Sequence, residues 1–289
     1  MPELKIKKPK AFRSLAVTLT NAFLTSTVAI LLIVSSSQIY FRFQTEQKLI
    51  SDHLQLIAQN VADILRSSIE KKISMLEVVA KAGSKLDFDE LGLSVERLIA
   101  DPDFRQVALF NSLEQELTRV SRLSRFETGC LREKVIREIF FQVKQGETDI
   151  SPICIDSKTN EPMVILAVPV TDIYGNFHGA LMVEMKLKFM WELIDKMKIG
   201  KEGLAYVVTR QGDLIAFSDI SRILKGENLI HLREVAKFVK QLPYEGKAEI
   251  PNGILGTKVL ATYVPLDMPD WAVVVELPAA EAYQTVIYG

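Results

Sequence analysis

Val164-Ile165-Leu166-Ala167-Val168-Pro169-Val170 and Val259-Leu260-Ala261-Thr262-Tyr263-Val264-Pro265-Leu266 are one strand written twice, with one residue of slack. Each copy is followed by a turn containing Asp and then by a strand ending in an acid. That strand is Leu181-Met182-Val183-Glu184 in the first copy and Val273-Val274-Val275-Glu276 in the second. An internal repeat sets the architecture before any single motif does. Outward from these strands, both copies read strand, turn, strand, helix, three strands. The first has strands over 105–111 and 116–121 around Ser112-Leu113-Glu114, a helix over 131–144, and strands over 150–155, 163–170 and 179–185. The second has strands over 204–209 and 214–217 around Arg210-Gln211-Gly212-Asp213, a helix over 230–242, and strands over 247–250, 257–264 and 271–276. Hairpins with the helices set apart predict an α+β fold with two antiparallel-sheet modules in tandem. The expected bounds are 84–186 for the first module, 187–199 for a linker helix and 200–280 for the second module.

Upstream, residues 42–82 contain neither proline nor glycine. Ile50, Leu54, Ile57, Val61 and Ile64 recur at three- and four-residue steps. Leu65, Ile69, Ile73, Leu76 and Val79 or Ala80 continue on a slightly rotated face. This is a long amphipathic stalk helix, expected over 42–83. At about 1.5 Å per residue it would reach roughly 60 Å. The first stripe suits a second copy of the chain and the later one suits the modules. The alternative is that both stripes pack on one domain.

No charge occurs from Ser14 to Phe41. About 20 apolar residues cross a bilayer as a helix, so 14–41 reads as a transmembrane helix. A secretory leader, for which Ser35-Ser36-Ser37 could mimic the cleavage site, would have a shorter apolar core. Lys5, Lys7, Lys8, Lys10 and Arg13 make 1–13 a basic cytoplasmic tail, so 42–289 is expected outside the cytoplasm, in the periplasm. The chain's net charge of -1 argues against a nucleic-acid partner, which asks for a basic face. Cys130 and Cys154 fall where a disulfide can persist. Two separate small hydrophobes are the other reading, and sequence leaves both open.

Several stretches resemble the double Cache sensor domain of bacterial membrane receptors. They are Lys186-Leu187-Lys188-Phe189-Met190-Trp191, Ile199-Gly200-Lys201-Glu202-Gly203-Leu204-Ala205-Tyr206-Val207-Val208 and Gly212-Asp213-Leu214-Ile215-Ala216, with Trp271, Glu276, Leu277 and Pro278 in the closing run. Where family members often carry His-Pro-Asp, this chain has Phe217-Ser218-Asp219. The resemblance covers about Arg42 to Tyr283. It implies PAS-like modules, dimers, and a ligand pocket in the membrane-distal module, here 84–186. It also implies a second span, toward which 281–289 would run, and an output such as the histidine kinase of a two-component system, a nucleotide cyclase or a chemotaxis domain. The chain stops at Gly289, as a fragment or as a sensor without its own output. The alternative function is a membrane-anchored adaptor that binds a protein partner.

No catalytic constellation emerges. His53, His178 and His231 have no metal-ligand spacing, and nothing asks for a cofactor. The candidate ligand contacts are Arg119, Arg122 and Arg125, whose planar forks suit carboxylates, with Phe141 and Tyr174 as wall and Glu184 at a strand end. Phe140 is a further candidate for the wall. In amino-acid-binding family members the resemblance implies Arg-x-Trp-Tyr and an aspartate at the end of a later strand. Here no Trp or Tyr follows the arginines, and Glu184 stands in place of the aspartate. The expected partner is a small molecule, with an organic acid as the class the arginines suit, and the expected assembly is a homodimer through the long helix.

Overall fold

The structure is a computed structural model that describes residues 15–82, 88–122, 129–156, 159, 161–242 and 250–288. Its first helix, α1, is Leu15–Ala82. The chain divides into two bodies, Met1–Leu49 and Ile50–Gly289. In the first, Leu19–Phe41 is long and apolar enough to cross a membrane, and none of it is buried in the protein. Its hydroxyls bond back to the helix: Thr25 to Ala22 O, Ser26 and Thr27 to Phe23 O, and Ser36 to Leu32 O. Such back-bonding satisfies a hydroxyl without water, as an apolar surrounding requires.

The second body holds two antiparallel sheets. The first is built from β1 (Phe104–Asn111), β2 (Glu116–Ser121), β3 (Asp149–Ile150), β4 (Cys154–Ile155), β5 (Pro162–Thr171) and β6 (Phe177–Lys186). Its order is β2-β1-β6-β5-β3, with β4 also pairing β5. Helix α2 (Phe88–Leu98) precedes it, α3 (Glu133–Val143) interrupts it, and α4 (Lys188–Asp195) leaves it. The second sheet contains β7 (Leu204–Thr209), β8 (Leu214–Ala216), β9 (Val259–Pro265) and β10 (Trp271–Pro278), in the order β8-β7-β10-β9. Helices α5 (Ile220–Leu224) and α6 (Arg233–Val239) lie within it in sequence, and α7 (Ala279–Tyr288) follows. The two orders are the same, so β1, β2, β5 and β6 correspond to β7, β8, β9 and β10.

Some elements differ from the sequence expectation. The strand expected over 150–155 is two short strands, because Pro152 has no N–H to give a ladder. Ser151 bridges the break, donating its N–H to Ile165 O at 2.9 Å and accepting Ile165 N–H on Oγ at 2.8 Å. Helix α5 was not anticipated. Asp219 caps it by accepting Ser221 N–H at 3.0 Å. The strand expected over 247–250 falls mostly outside the described residues, and Ile250 is not in a strand.

From Ile50 onward, α1 packs along one face of both sheets. Leu54, Ala58, Val61, Leu65, Ile69, Ile73 and Leu76 share one cluster with Val107, Leu109, Leu181 and Val183 of the first sheet and with Val207, Leu260, Val273 and Val275 of the second. Burying each such Leu, Ile or Val contributes about 1.5–3 kcal/mol. Arg66 adds a bond to Leu266 O at 3.1 Å. Leu54 and Val61 are therefore used by their own chain, 2% and 1% exposed, and a second chain would have to meet other faces of the helix.

The opposite faces have separate covers. Over the first sheet, α3 and Cys130-Leu131 close a cluster with Ala108, Phe110, Phe140, Met163, Ile165, Ala167 and Met182. Over the second, α5 and α6 close one with Tyr206, Phe217, Ile223, Val235, Phe238, Tyr263 and Val274. At the end of the body, Glu281 of α7 accepts the N–H groups of Lys201 and Glu202 at 2.5 and 2.9 Å.

Candidate functional site

Alternation along β6 directs Ala180, Met182 and Glu184 to the face under α3, while Leu181, Val183 and Met185 face α1. Glu184 is fully buried. Register sets Gln106 of β1 directly opposite it on one side and Ile165 of β5 on the other. A segment crosses above them. Leu131 N–H donates to Glu184 Oε1 at 2.7 Å. Gly129 comes so close that a Cβ there would overlap both carboxylate oxygens and Gln106 Nε2, so any larger residue would have to push those side-chain ends aside. Cys130, between them, is in a disulfide with Cys154 of β4, with Cα atoms 6.0 Å apart. Of the two readings of the cysteines, the bridge is the one found, and it fastens this strap over the carboxylate.

Two polar atoms in this corner have no partner among the described residues: Glu184 Oε2, which must accept, and Gln106 Nε2, which must donate. Leaving a buried polar group unpaired costs about 1–3 kcal/mol, more for a charge, so each is a point where a ligand would be held. Arg119 of β2 faces the same corner and donates to Gln106 Oε1 at 3.4 Å. It is also paired with Glu116 through two bonds of 2.5 and 3.0 Å. Below, Arg105 and Asp156 form a buried ion pair at 3.0 Å. Burial alone would raise the Asp156 carboxyl, but hydrogen bonds from Arg105 and Thr159 outweigh it and hold it well below the usual range.

The sequence candidates divide accordingly. Glu184 and Arg119 are brought together. Arg122 is turned elsewhere and donates to Ile99 O and Asp101 O, closing the turn after α2. Phe141 is 67% exposed on α3, whereas its neighbour Phe140 is buried edge-on to Phe177 at 5.4 Å between centroids. Tyr174 is 82% exposed, at the tip of the β5–β6 turn. Arg125 lies outside the described residues. Gln106, Gly129 and the Leu131 amide were not anticipated. Only the strand register could have pointed to Gln106.

The second sheet repeats the arrangement. Glu276 of β10 is buried and accepts Ile254 N–H, at 2.9 Å on Oε2 and 3.1 Å on Oε1. Gly253 comes as close to it as Gly129 does to Glu184. Here Tyr206 completes the carboxylate, its hydroxyl donating to Glu276 Oε1 at 2.7 Å. Burial pushes the Glu276 carboxyl up, while the bonds from Tyr206 and Ile254 and the charge of Arg222 oppose it. Burial, together with the Glu276 charge, also drives the Tyr206 phenol well above its ordinary value.

A cleft of about 740 Å³ opens elsewhere, between Ser151–Ile153 and the Thr209–Asp213 turn. Its Arg210 is already bonded to Asp270 at 3.2 Å and Phe238 O at 2.7 Å. None of its described lining residues carries a buried polar side-chain atom short of a partner. The unsatisfied corner around Glu184 is the stronger candidate, because it has a demand that a ligand would meet. Among the described residues no His, Cys, Asp and Glu group could hold a metal.

A family model described as the Cache domain matches residues 43–286. No curated protein matches the sequence. Among solved structures, the ligand-binding domain of the Pseudomonas fluorescens chemoreceptor CtaA, in complex with L-isoleucine, is 13% identical with a TM-score of 0.64. The alignment covers 84% of this chain and 98% of that one. The corresponding domain of the Pseudomonas aeruginosa PAO1 amino acid chemoreceptor PctC, in complex with GABA, is 18% identical with a TM-score of 0.58, over 78% and 99% of the two chains. An extracellular domain assigned to a histidine kinase, mmHK1S-Z3, is 13% identical with a TM-score of 0.65, over 83% and 98%. At such identities the likeness is one of fold.

Proposed function

The chain belongs to the Cache domain family, and from that premise we propose that it is the extracytoplasmic sensor of a membrane-bound signalling receptor. The apolar segment Leu19–Phe41 anchors it, and the basic residues before that segment keep the N-terminus inside. The module around the first sheet, near residues 84–186, is the membrane-distal one and holds the ligand. The module near 200–280 transmits, through α7, to an output of the histidine kinase, nucleotide cyclase or chemoreceptor kind.

One observation carries the placement of the site. The first module buries an acceptor, Glu184 Oε2, and a donor, Gln106 Nε2, with no partner among the described residues, while the equivalent carboxylate of the second module is completed by its own chain. A ligand there offers a hydrogen-bond donor to Glu184 and an acceptor to Gln106 and Arg119. The amino acids in complex with the two chemoreceptor domains have both, and so does an organic acid with a hydroxyl or amino group. Two chains associate through exposed parts of α1 such as Leu56 and Ile64, 64% and 45% exposed. The ligand signals by binding two arrangements of the helices unequally, on a scale of about 1–3 kcal/mol.

The test is a melting screen of organic acids, amino acids and amines on the full chain in detergent. A ligand at a hundred times its Kd should stabilise the protein by about 2.7 kcal/mol. Glu184→Gln keeps an acceptor for Leu131 N–H and should fold, but should lose the stabilisation. A ligand that stabilises both proteins equally would place the site elsewhere.

A further inference from the structure

The two modules can be compared residue by residue through their registers. Glu184 is flanked by Gln106 and Ile165, and Glu276 by Leu204 and Ala261. Two residues before each acid, on the same face, the cross-strand row is Ala108–Met182–Ala167 in the first module and Tyr206–Val274–Tyr263 in the second. Each row faces the cluster under its module's own cover, away from α1. Where the second module has two tyrosines, the first has two alanines. Tyr206 is fully buried, and its ring lies edge-on to Phe217 at 6.3 Å while its hydroxyl completes the glutamate. The Tyr263 hydroxyl donates to Leu242 O. In the first module the matching glutamate keeps an oxygen without a partner among the described residues. The row below it offers two methyl groups and the flexible Met182, with Met163 alongside in the same cluster. Methionine side chains repack readily around an incoming group.

Resting on the site proposed above, we infer that the first module takes a small hydroxyaryl ligand, with its ring over Ala108, Met182 and Ala167 and its hydroxyl donated to Glu184. Tyr206 is the built-in counterpart of that ligand in the second module. The chain thus shows which chemistry this strand-end glutamate accepts when its site is full: a flat apolar ring carrying one donor. Ala108 is the position that distinguishes the modules, since its counterpart Tyr206 brings a ring and a hydroxyl where β1 brings only a methyl group. The corresponding place beside Glu276 in the second module is filled by Tyr206 itself.

The experiment compares compounds that differ only in the hydroxyl, on the full chain in detergent by calorimetry and melting. The pairs are p-cresol and toluene, 4-hydroxyphenylacetate and phenylacetate, and tyramine and phenethylamine. The hydroxyl-bearing member of at least one pair should bind ten or more times more tightly, and Glu184→Gln should remove the difference. Ala108→Tyr should supply the ligand from within, melting at or above the wild-type temperature and binding none of the compounds. If that variant does not fold, the paired compounds on the wild-type protein decide alone. Equal binding within every pair, or no binding by any of them, overturns the inference. So does hydroxyl-dependent binding that Ala108→Tyr leaves intact. Should an aliphatic acid or amine bind in a Glu184-dependent way while the pairs show no discrimination, the site stands and the hydroxyaryl assignment falls. Loss of Glu184 dependence for every ligand would instead overturn the site itself.

Discussion

Lys72 Nζ lies 2.5 Å from Asp101 Oδ1, so the long helix is bonded to the turn that feeds β1. Asp103 Oδ2 is 2.7 Å from the same nitrogen, and the Phe104 ring centroid is 5.3 Å away. Three residues on from Asp103 is Gln106, in the unsatisfied corner. Any displacement of β1 by a ligand at the proposed site would reach α1 through this largely buried ion pair. Lys72→Met keeps the stem and removes the charge. It should cost about 2–3 kcal/mol, because two carboxylates lose their cation. Ligand affinity should change little, while any ligand-induced change in crosslinking between cysteines placed at position 56 should vanish.

The strap over Glu184 makes a second expectation. Replacing both Cys130 and Cys154 by Ser opens a loop with a sequence separation of 24 and should lower stability by about 3 kcal/mol. Since Leu131 N–H is held on the carboxylate by that bridge, ligand release should also quicken, as stopped-flow dilution would register. Two glycines provide a sharper contrast. Gly129→Ala forces a methyl into Glu184 and Gln106 and should cost about 1–3 kcal/mol. Gly92→Ala, in α2 with open space around it, should add about 0.5–1 kcal/mol.

Two carboxylates give opposite pH dependences. The folded-state pKa of Glu276 is raised, so between its unfolded and folded values the native protein holds the extra proton. Stability therefore falls as pH rises through that window, starting from the ordinary glutamate value. Asp156 is depressed. Its contribution is full at neutral pH and is lost as pH falls below the ordinary aspartate value toward its folded one. Melting curves from acid to pH 8 should show a flatter limb above the ordinary glutamate value for Glu276→Gln and a flatter limb below the ordinary aspartate value for Asp156→Asn. Parallel curves for wild type and Glu276→Gln would mean that this carboxylate does not titrate in the window.

Association through α1 is checked by single cysteines in membranes. Positions 56 and 64 should crosslink between chains, and 54 and 61 should not, because the latter are enclosed by their own sheets. Efficient crosslinking at 54 or 61 would require the helix to leave its own core.

Much of the fold was legible because it rests on local periodicity. The repeat, the hairpins and the long helix follow from alternation, turn residues and three- and four-residue spacing. Glu184 was legible as a strand-end acid, and Arg119 as one of a run of arginines. What the sequence hid were the pairings. Gln106 looks like any strand residue until register sets it opposite Glu184. Arg122 looks like its neighbour Arg119 until strand alternation turns it to the carbonyls of Ile99 and Asp101. Phe140 and Phe141 are adjacent and chemically equal, yet one is enclosed and the other lies on the outer side of α3. The first stripe of the long helix was read toward a second chain because sequence shows that a face is apolar, not what covers it.

The shared core along α1 also governs how the molecule is made. Leu65 and Ile69 are synthesised roughly two hundred positions before Val273 and Val275, with which they share a cluster. Until the last strand emerges, the apolar side of the helix stands uncovered, and both sheets must close contacts between segments far apart in the chain. Such nonlocal closure is intrinsically slow. With the topology proposed above, biogenesis should therefore depend on a holding chaperone outside the cytoplasm, and a chain cut before Trp271 should accumulate as a protease-sensitive species at the membrane.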